Sequence, residues 1–163
     1  MDLLNKIVSD IIRQHEGGEG FFEAIDKAAQ NISILRELIK LSIHPQLPEL
    51  WYYTIVSGNF GKFFINWWST HPLSVLWPRP ILVSGNLRNC PENMESLEYL
   101  GDRIKDNKYV FIDDSFYLGR TRDAINAELN KYGSKIIKTL VVYDGSHKND
   151  PNVVSLYRYH EVK

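Results

Sequence analysis

The sequence holds one cysteine, Cys90, in 163 residues. One thiol cannot close an internal disulfide, so the fold must rest on its core and suits a reducing compartment. No catalytic base or motif surrounds Cys90, so it reads as a structural thiol. A basic excess is also missing. Nineteen Lys and Arg stand against twenty Asp and Glu, for a formal net charge of −1. That balance argues against a dedicated nucleic-acid binder, which carries a basic stripe or surplus. No apolar run approaches the roughly 20 residues that a membrane-spanning helix needs. The first residues show no basic segment leading into a continuous apolar block, so no secretory leader is read and a cytoplasmic location is expected. The five histidines are scattered, with no H-x-H or H-E-x-x-H spacing. With a single cysteine beside them, a zinc site is not expected. Internal repeats and low-complexity tracts are absent.

What is present is globular: 44% hydrophobic and 24% charged residues, enough to bury a proper core as a single domain over 1–163. The chain divides by pattern. Residues 1–45 read as an N-terminal helical extension. Leu3, Leu4, Ile7, Val8, Ile11 and Ile12 fall at helical spacing between Asp2 and His15. Gly17, Gly18 and Gly20 then interrupt the pattern. A second helical region runs from Phe21 to Ser42, with a break near Asn31. Its apolar stripe is Ile25, Ala28, Ile32, Leu35, Leu38 and Ile39. Pro45 and Pro48 end it.

From Trp51 onward, strands and helices alternate. Trp51 to Val56 is rich in aromatic and β-branched residues and reads as the first core strand. Ser57 to Lys62 reads as a glycine-bearing loop, and Phe63 to Trp68 as a buried helix after it. Ile81-Leu82-Val83 is a short second strand. A short connection, Ser84 to Asn93, leads to a helix from Met94 to Lys105. Arg122 to Tyr132 is helical, with Gly133 as its C-cap. Ile136 to Tyr143 and Val153 to Tyr159 are the last strands, separated by the polar stretch Asp144 to Pro151. This order predicts an α/β fold: a parallel sheet flanked by helices over 51–163, with right-handed crossovers.

The stretch Tyr109 to Thr121 organises that core. Val110-Phe111-Ile112 runs into two adjacent carboxylates, Asp113 and Asp114. A connection follows, then Gly119-Arg120-Thr121 and a helix. In open α/β sheets ligands bind at the carboxyl ends of such strands. The turn from Tyr117 to Thr121 would aim backbone N–H groups there, and a helix N-terminus suits a phosphate. The acids suit ribose hydroxyls, a hydrated Mg²⁺, or both. The plain alternative is a buried strand with two solvated acids at its end.

Asp113, Asp114 and the Gly119-Arg120-Thr121 turn resemble the phosphoribosyl-pyrophosphate (PRPP) motif of the type I phosphoribosyltransferases. The resemblance covers about Trp51 to Tyr159. It implies a phosphoribosyltransferase-like fold, nucleotide metabolism and Mg²⁺ as cofactor. It also implies roles for residues. Asp113 and Asp114 would act at the ribose and the metal. Tyr117, Leu118, Gly119, Arg120 and Thr121 would cradle the 5′-phosphate. Ser57, Gly58, Asn59, Phe60, Gly61 and Lys62 would receive pyrophosphate. Tyr143, Asp144 and His147 would lie on the base side. The implied reaction moves phosphoribose to or from a nucleobase. Three features depart from the motif. Tyr117 and Leu118 replace small or hydroxylated residues, and the Ser84 to Asn93 connection is short for a closing lid. They keep a second reading open: a sensor or regulatory protein that binds a ribose-phosphate ligand or nucleotide without turning it over. Aromatics crowd the span from Trp51 to Trp77, more than one core layer should bury, so a homodimer is also expected.

Overall fold

The computed structural model describes Asp10, residues 29–30, 32–42, 54–70, 80–83, 105–146 and 150–158. Five strands form one sheet: β1 (Thr54–Ser57), β2 (Ile81–Val83), β3 (Lys108–Phe116), β4 (Lys135–Asp144) and β5 (Val153–Arg158). Their order is β2-β1-β3-β4-β5, and every neighbouring pair is parallel. The helices among the described residues are α1 (Ile32–Ser42), α2 (Gly58–Thr70) and α3 (Arg120–Asn130).

A sheet covered on both faces needs strands that are apolar on both sides. Successive residues of β1 and β3 do divide this way. Val56, Val110 and Ile112 join a cluster with Phe60 and Phe64 of α2 and Ile34, Leu35 and Leu38 of α1. Ile55, Tyr109 and Phe111 join Ile125 and Leu129 of α3 in another. The part of the N-terminal extension in view is therefore built into the core. Its buried residues Ala29, Ile34, Leu35 and Leu38 include two from the expected stripe. Asp10 is helical, as expected of its segment. The rest of the first helix, residues 43–53, the 71–79 connection, the Ser84 to Asn93 connection and most of the following helix lie outside the described residues.

Helix α3 ends as its glycine demands. Gly133 takes φ 76°, Gly133 N–H donates to Asn130 O at 3.1 Å, and Ser134 N–H donates to Leu129 O at 3.0 Å. These bonds make a Schellman stop, which an L side chain resists.

One element of this half of the sheet differs from expectation. Helix α2 starts at Gly58, directly after β1, so the segment expected as a loop over Ser57 to Lys62 is instead a strand end and the first turn of a helix. Two glycines make this abrupt entry possible. Gly58 takes φ 65°. At Gly61 a Cβ would stand 2.8 Å from Leu82 Cδ1 and 3.1 Å from the Val56 carbonyl carbon, so the helix lies against β1 and β2 at a distance only glycine allows. The return from β4 to β5 crosses the stretch read as a polar connection. Thr139 pairs with Val153, so the chain between Asp144 and Val153 must run back along β4. That return covers about 17 Å at strand spacing. The connection's extended reach is roughly 26 Å, which suffices.

The described aromatics of the Trp51 to Trp77 span are packed inward. Phe60 and Phe64 are buried, and Phe63, Trp67 and Trp68 lie against the same cluster. None of them forms the exposed patch from which a homodimer was argued; Trp51, Tyr52, Tyr53 and Trp77 lie outside the described residues. We expect Gly61→Val to cost about 1–3 kcal/mol by overpacking the α2–sheet contact. Lys62→Ala, one residue on and exposed, should stay within about 0.5 kcal/mol. Urea unfolding of the two variants checks this.

Candidate functional site

The strand order reverses direction at β1. From β1 the chain moves outward to β2, then returns to β3 on the other side. The carboxyl ends of β1 and β3 flank that switch point, where ligands of open α/β sheets bind. Val56 pairs with Ile112. Past that last pair, Ser57 ends β1 and Gly58 opens α2, while Asp113 and Asp114 follow Ile112 on β3. The two segments singled out in the sequence thus converge on one sheet edge.

β3 does not stop at its acids. It runs on through Ser115 and Phe116, which pair with Tyr143 and Asp144. The expected strand ending at the carboxylates, with a connection over Ser115 to Leu118, is replaced by a strand two residues longer and a bend of Tyr117 and Leu118 before Gly119. The reason lies in the neighbour: β4 extends equally far, and Gly145 N–H donates to Phe116 O at 2.9 Å. Ladder partners outweigh the preference of Asp for turns.

Both acids are half-buried. Asp113 Oδ1 accepts the backbone N–H of Asp114 at 2.8 Å. Asp114 Oδ1 accepts the Ser115 hydroxyl at 3.3 Å, a long bond. Gly119 is the N-cap of α3, in the left-handed conformation at φ 75°, with no side-chain cap. The backbone donors of the first helical turn therefore lack the side-chain acceptor that commonly satisfies one of them. Gly119 is also hemmed in. A Cβ there would stand 3.0 Å from Phe116 Cζ and 3.2 Å from Arg122 Nη2. Arg120 is exposed and Thr121 half-buried.

The two departures from the motif point opposite ways. Leu118 is 64% exposed, the one exposed large hydrophobic side chain among the described residues. Tyr117 turns inward, its ring edge-on to Tyr143 at 5.9 Å. It also covers Gly145, where a Cβ would overlap its Cε1 and stand 2.7 Å from its Cδ1. Burial raises the Tyr117 phenol pKa, and the neighbouring Tyr143 and Asp114 raise it further. The hydroxyl stays protonated at any physiological pH. Tyr143 is only 1% exposed and Asp144 5%. The Asp144 carboxylate holds Ser146, accepting its N–H at 2.9 Å and its hydroxyl at 2.6 Å. So these two members of the expected base side are packed rather than open; His147 lies outside the described residues.

Arg122 escaped the sequence reading. Its Nη1 donates to Asp150 Oδ2 at 2.7 Å and its Nε to Asp123 Oδ1 at 3.2 Å, while the guanidinium lies 4.8 Å from the Phe116 ring centroid. Asp150 in turn accepts Asn152 N–H at 2.9 Å, which shapes the entry to β5. Nothing in the sequence links positions 122 and 150; only the return of the chain to β5 brings them together.

Among the described residues no group of three or more His, Cys, Asp or Glu side chains forms a metal cage. No protein-family model matches the chain, and a search of curated proteins finds no match to it.

Two outcomes follow from this geometry. In a double-mutant cycle, Gly145→Ala should destabilise the protein by about 1–3 kcal/mol, and by much less in a Tyr117→Ala background, since the ring is what the methyl meets. Equal costs in both backgrounds would remove the ring from the argument. The second concerns pH. The hydrogen bond from Arg122, then that from Asn152, lower the Asp150 pKa. A lowered carboxylate contributes stability above its unfolded pKa and loses it as pH falls through the folded value. The stability gap between wild type and Asp150→Asn should therefore be full at pH 7, shrink below about pH 4 and close in stronger acid, in unfolding curves across that range.

Proposed function

We propose that the protein binds a ribose 5-phosphate compound, PRPP or a nucleoside 5′-phosphate, with Mg²⁺, and transfers phosphoribose to or from a nucleobase. The observation that carries this reading is one juxtaposition. The acid pair of β3 is followed, across a two-residue bend, by a helix whose cap is a left-handed glycine. This lies beside the β1–α2 junction at the switch point. Backbone N–H groups from Tyr117 to Thr121 would take the 5′-phosphate, helped by the helix dipole. Asp113 and Asp114 would hold the ribose hydroxyls. The α2 N-terminus at Gly58 and Asn59 would face the pyrophosphate.

The residues fit Mg²⁺ as a ligand-borne ion. Mg²⁺ prefers one or two carboxylates plus phosphate oxygens to an all-protein cage. Asp113 and Asp114 supply hard oxygens, and no third acid completes a cage among the described residues. When bound, the ion would offset phosphate charge. The chain's part is to orient the ribose, with C1 held towards an incoming nitrogen. Positive charge develops on the ribose ring as pyrophosphate leaves, and the nearby carboxylates stabilise it.

The exposed Leu118 favours a second reading, a sensor that binds the same ligand without turnover. It puts an apolar side chain where the motif's hydroxyl would meet phosphate. Calorimetry with PRPP and with nucleoside monophosphates, with and without Mg²⁺, separates the readings. Asp113→Asn with Asp114→Asn should lower Mg²⁺-dependent affinity at least about tenfold while the fold persists. Unchanged affinity in the folded double mutant defeats the site. Binding of PRPP without pyrophosphate release, whichever common base is supplied, leaves the sensor.

A further inference from the structure

We infer that Arg122, and not the Arg120 of the motif, is the side chain that binds the phosphate at the Gly119 turn, held in aim by Asp150 and Asp123. This rests on the site reading just given and adds the group that recognises the anion. Arg120 is exposed on the first turn of α3. Arg122 is held from three sides. Its Nη1 is tied to Asp150 across the fold, its Nε to Asp123, and its plane rests by the Phe116 ring. Among the described residues, Nη2 is the guanidinium nitrogen left without a carboxylate partner. It is the one beside Gly119, 3.2 Å from where a Cβ on that glycine would lie. The glycine therefore serves twice: it makes the left-handed turn and it leaves room for the arginine's remaining edge.

The arrangement suits phosphate for a chemical reason. Arg presents donors in a fixed planar fork, and an arginine already immobilised loses little side-chain freedom on binding. The side chain is 22% exposed, so a ligand can reach it. The acids facing it are Asp150, 26% exposed, and Asp123, 65% exposed. Asp150 offsets its charge at close range, whereas solvent screens Asp123. Arg122 thus offers oriented donors more than net charge. That suits one phosphate group at a defined position, and not a general attraction for polyanions. Because the same guanidinium holds Asp150, phosphate at the turn and the path of the chain into β5 share one residue.

The test titrates full-length protein with ribose 5-phosphate and Mg²⁺, following heat and the ³¹P resonance. Arg122→Gln should weaken binding about tenfold or more, and Arg120→Gln less than about threefold. A purely structural role could also weaken binding, so the ³¹P resonance supplies the second readout. Free phosphomonoesters take up their second proton near pH 6. Beside a guanidinium the dianion is favoured, so the bound resonance should titrate at lower pH in wild type and Arg120→Gln. In Arg122→Gln it should move back towards the free value. Arg122→Lys, which keeps a cation, should keep part of the shift and covers the case in which the Gln variant does not fold. If the folded Arg122 variants match wild type in affinity and titration, the inference is overturned and the site reading stands. If wild type binds no ribose 5-phosphate, both fall.

Discussion

β3 is paired on both edges and covered on both faces. Between Val110 and Ile112 it has no surface left for a polar side chain. Its charged residues therefore sit at the ends, Lys108 at the start and the two carboxylates past the last pairing with β1. Unpaired carboxylates cannot be buried cheaply. Asp113 and Asp114 fall where β1 has already turned into α2 while β4 still supplies a partner. They are half-buried as a result, with β4 alongside. The placement of the acids is thus a consequence of unequal strand lengths.

The same inequality organises the rest of that edge. Because β4 runs as far as β3, the chain leaving β3 must cross over the end of β4 before α3 begins. Tyr117 fills this crossing, and Gly145 leaves the space for its ring. The return to β5 is tied to α3 at its end. Arg122 supplies the tie through Asp150, and Asn152 and Val153 close the turn with bonds to the same aspartate. The candidate phosphate turn and the last connection are consequently one structural unit.

Sequence periodicity carried the reading as far as elements that are locally determined. Ile81-Leu82-Val83 is apolar between breaks, and it is β2 without change. Gly133 marked the end of α3 because only a left-handed residue makes that stop. The continuous burial of β3 from Tyr109 to Ile112 followed from its unbroken apolar run. The failures share a cause. A strand's length depends on its neighbour, so the extension of β3 through Phe116 was invisible without β4. The early start of α2 depends on Gly61 lying against Leu82, a contact between residues far apart in the chain. Glycine was read as loop where it serves close packing. The Arg122–Asp150 pair needed the topology, since twenty-eight positions separate its members. At the site, the acids and Gly119 were legible as a pattern, whereas the inward turn of Tyr117 and the burial of Tyr143 were not.

The charge at this edge narrows what the site can hold. Asp113, Asp114, Asp123 and Asp150 lie on β3, α3 and the β5 entry, with Arg120 and Arg122 the basic residues of the turn. A bare phosphate ester would meet more negative charge than positive. Backbone dipoles offset only part of that, since a helix N-terminus carries about half a charge. A ligand bearing its own divalent cation reverses the balance, because the ion answers the carboxylates while the phosphate answers the turn. The order of the chain, acids first and glycine turn second, fixes the direction in which such a ligand would lie. Its cation and hydroxyls would sit towards β1 and its phosphate towards α3. An anion without hydroxyls or metal would use only the second half of the site and leave the acid pair repelling it. On the proposed reading, the arrangement would discriminate by polarity along the ligand as well as by charge.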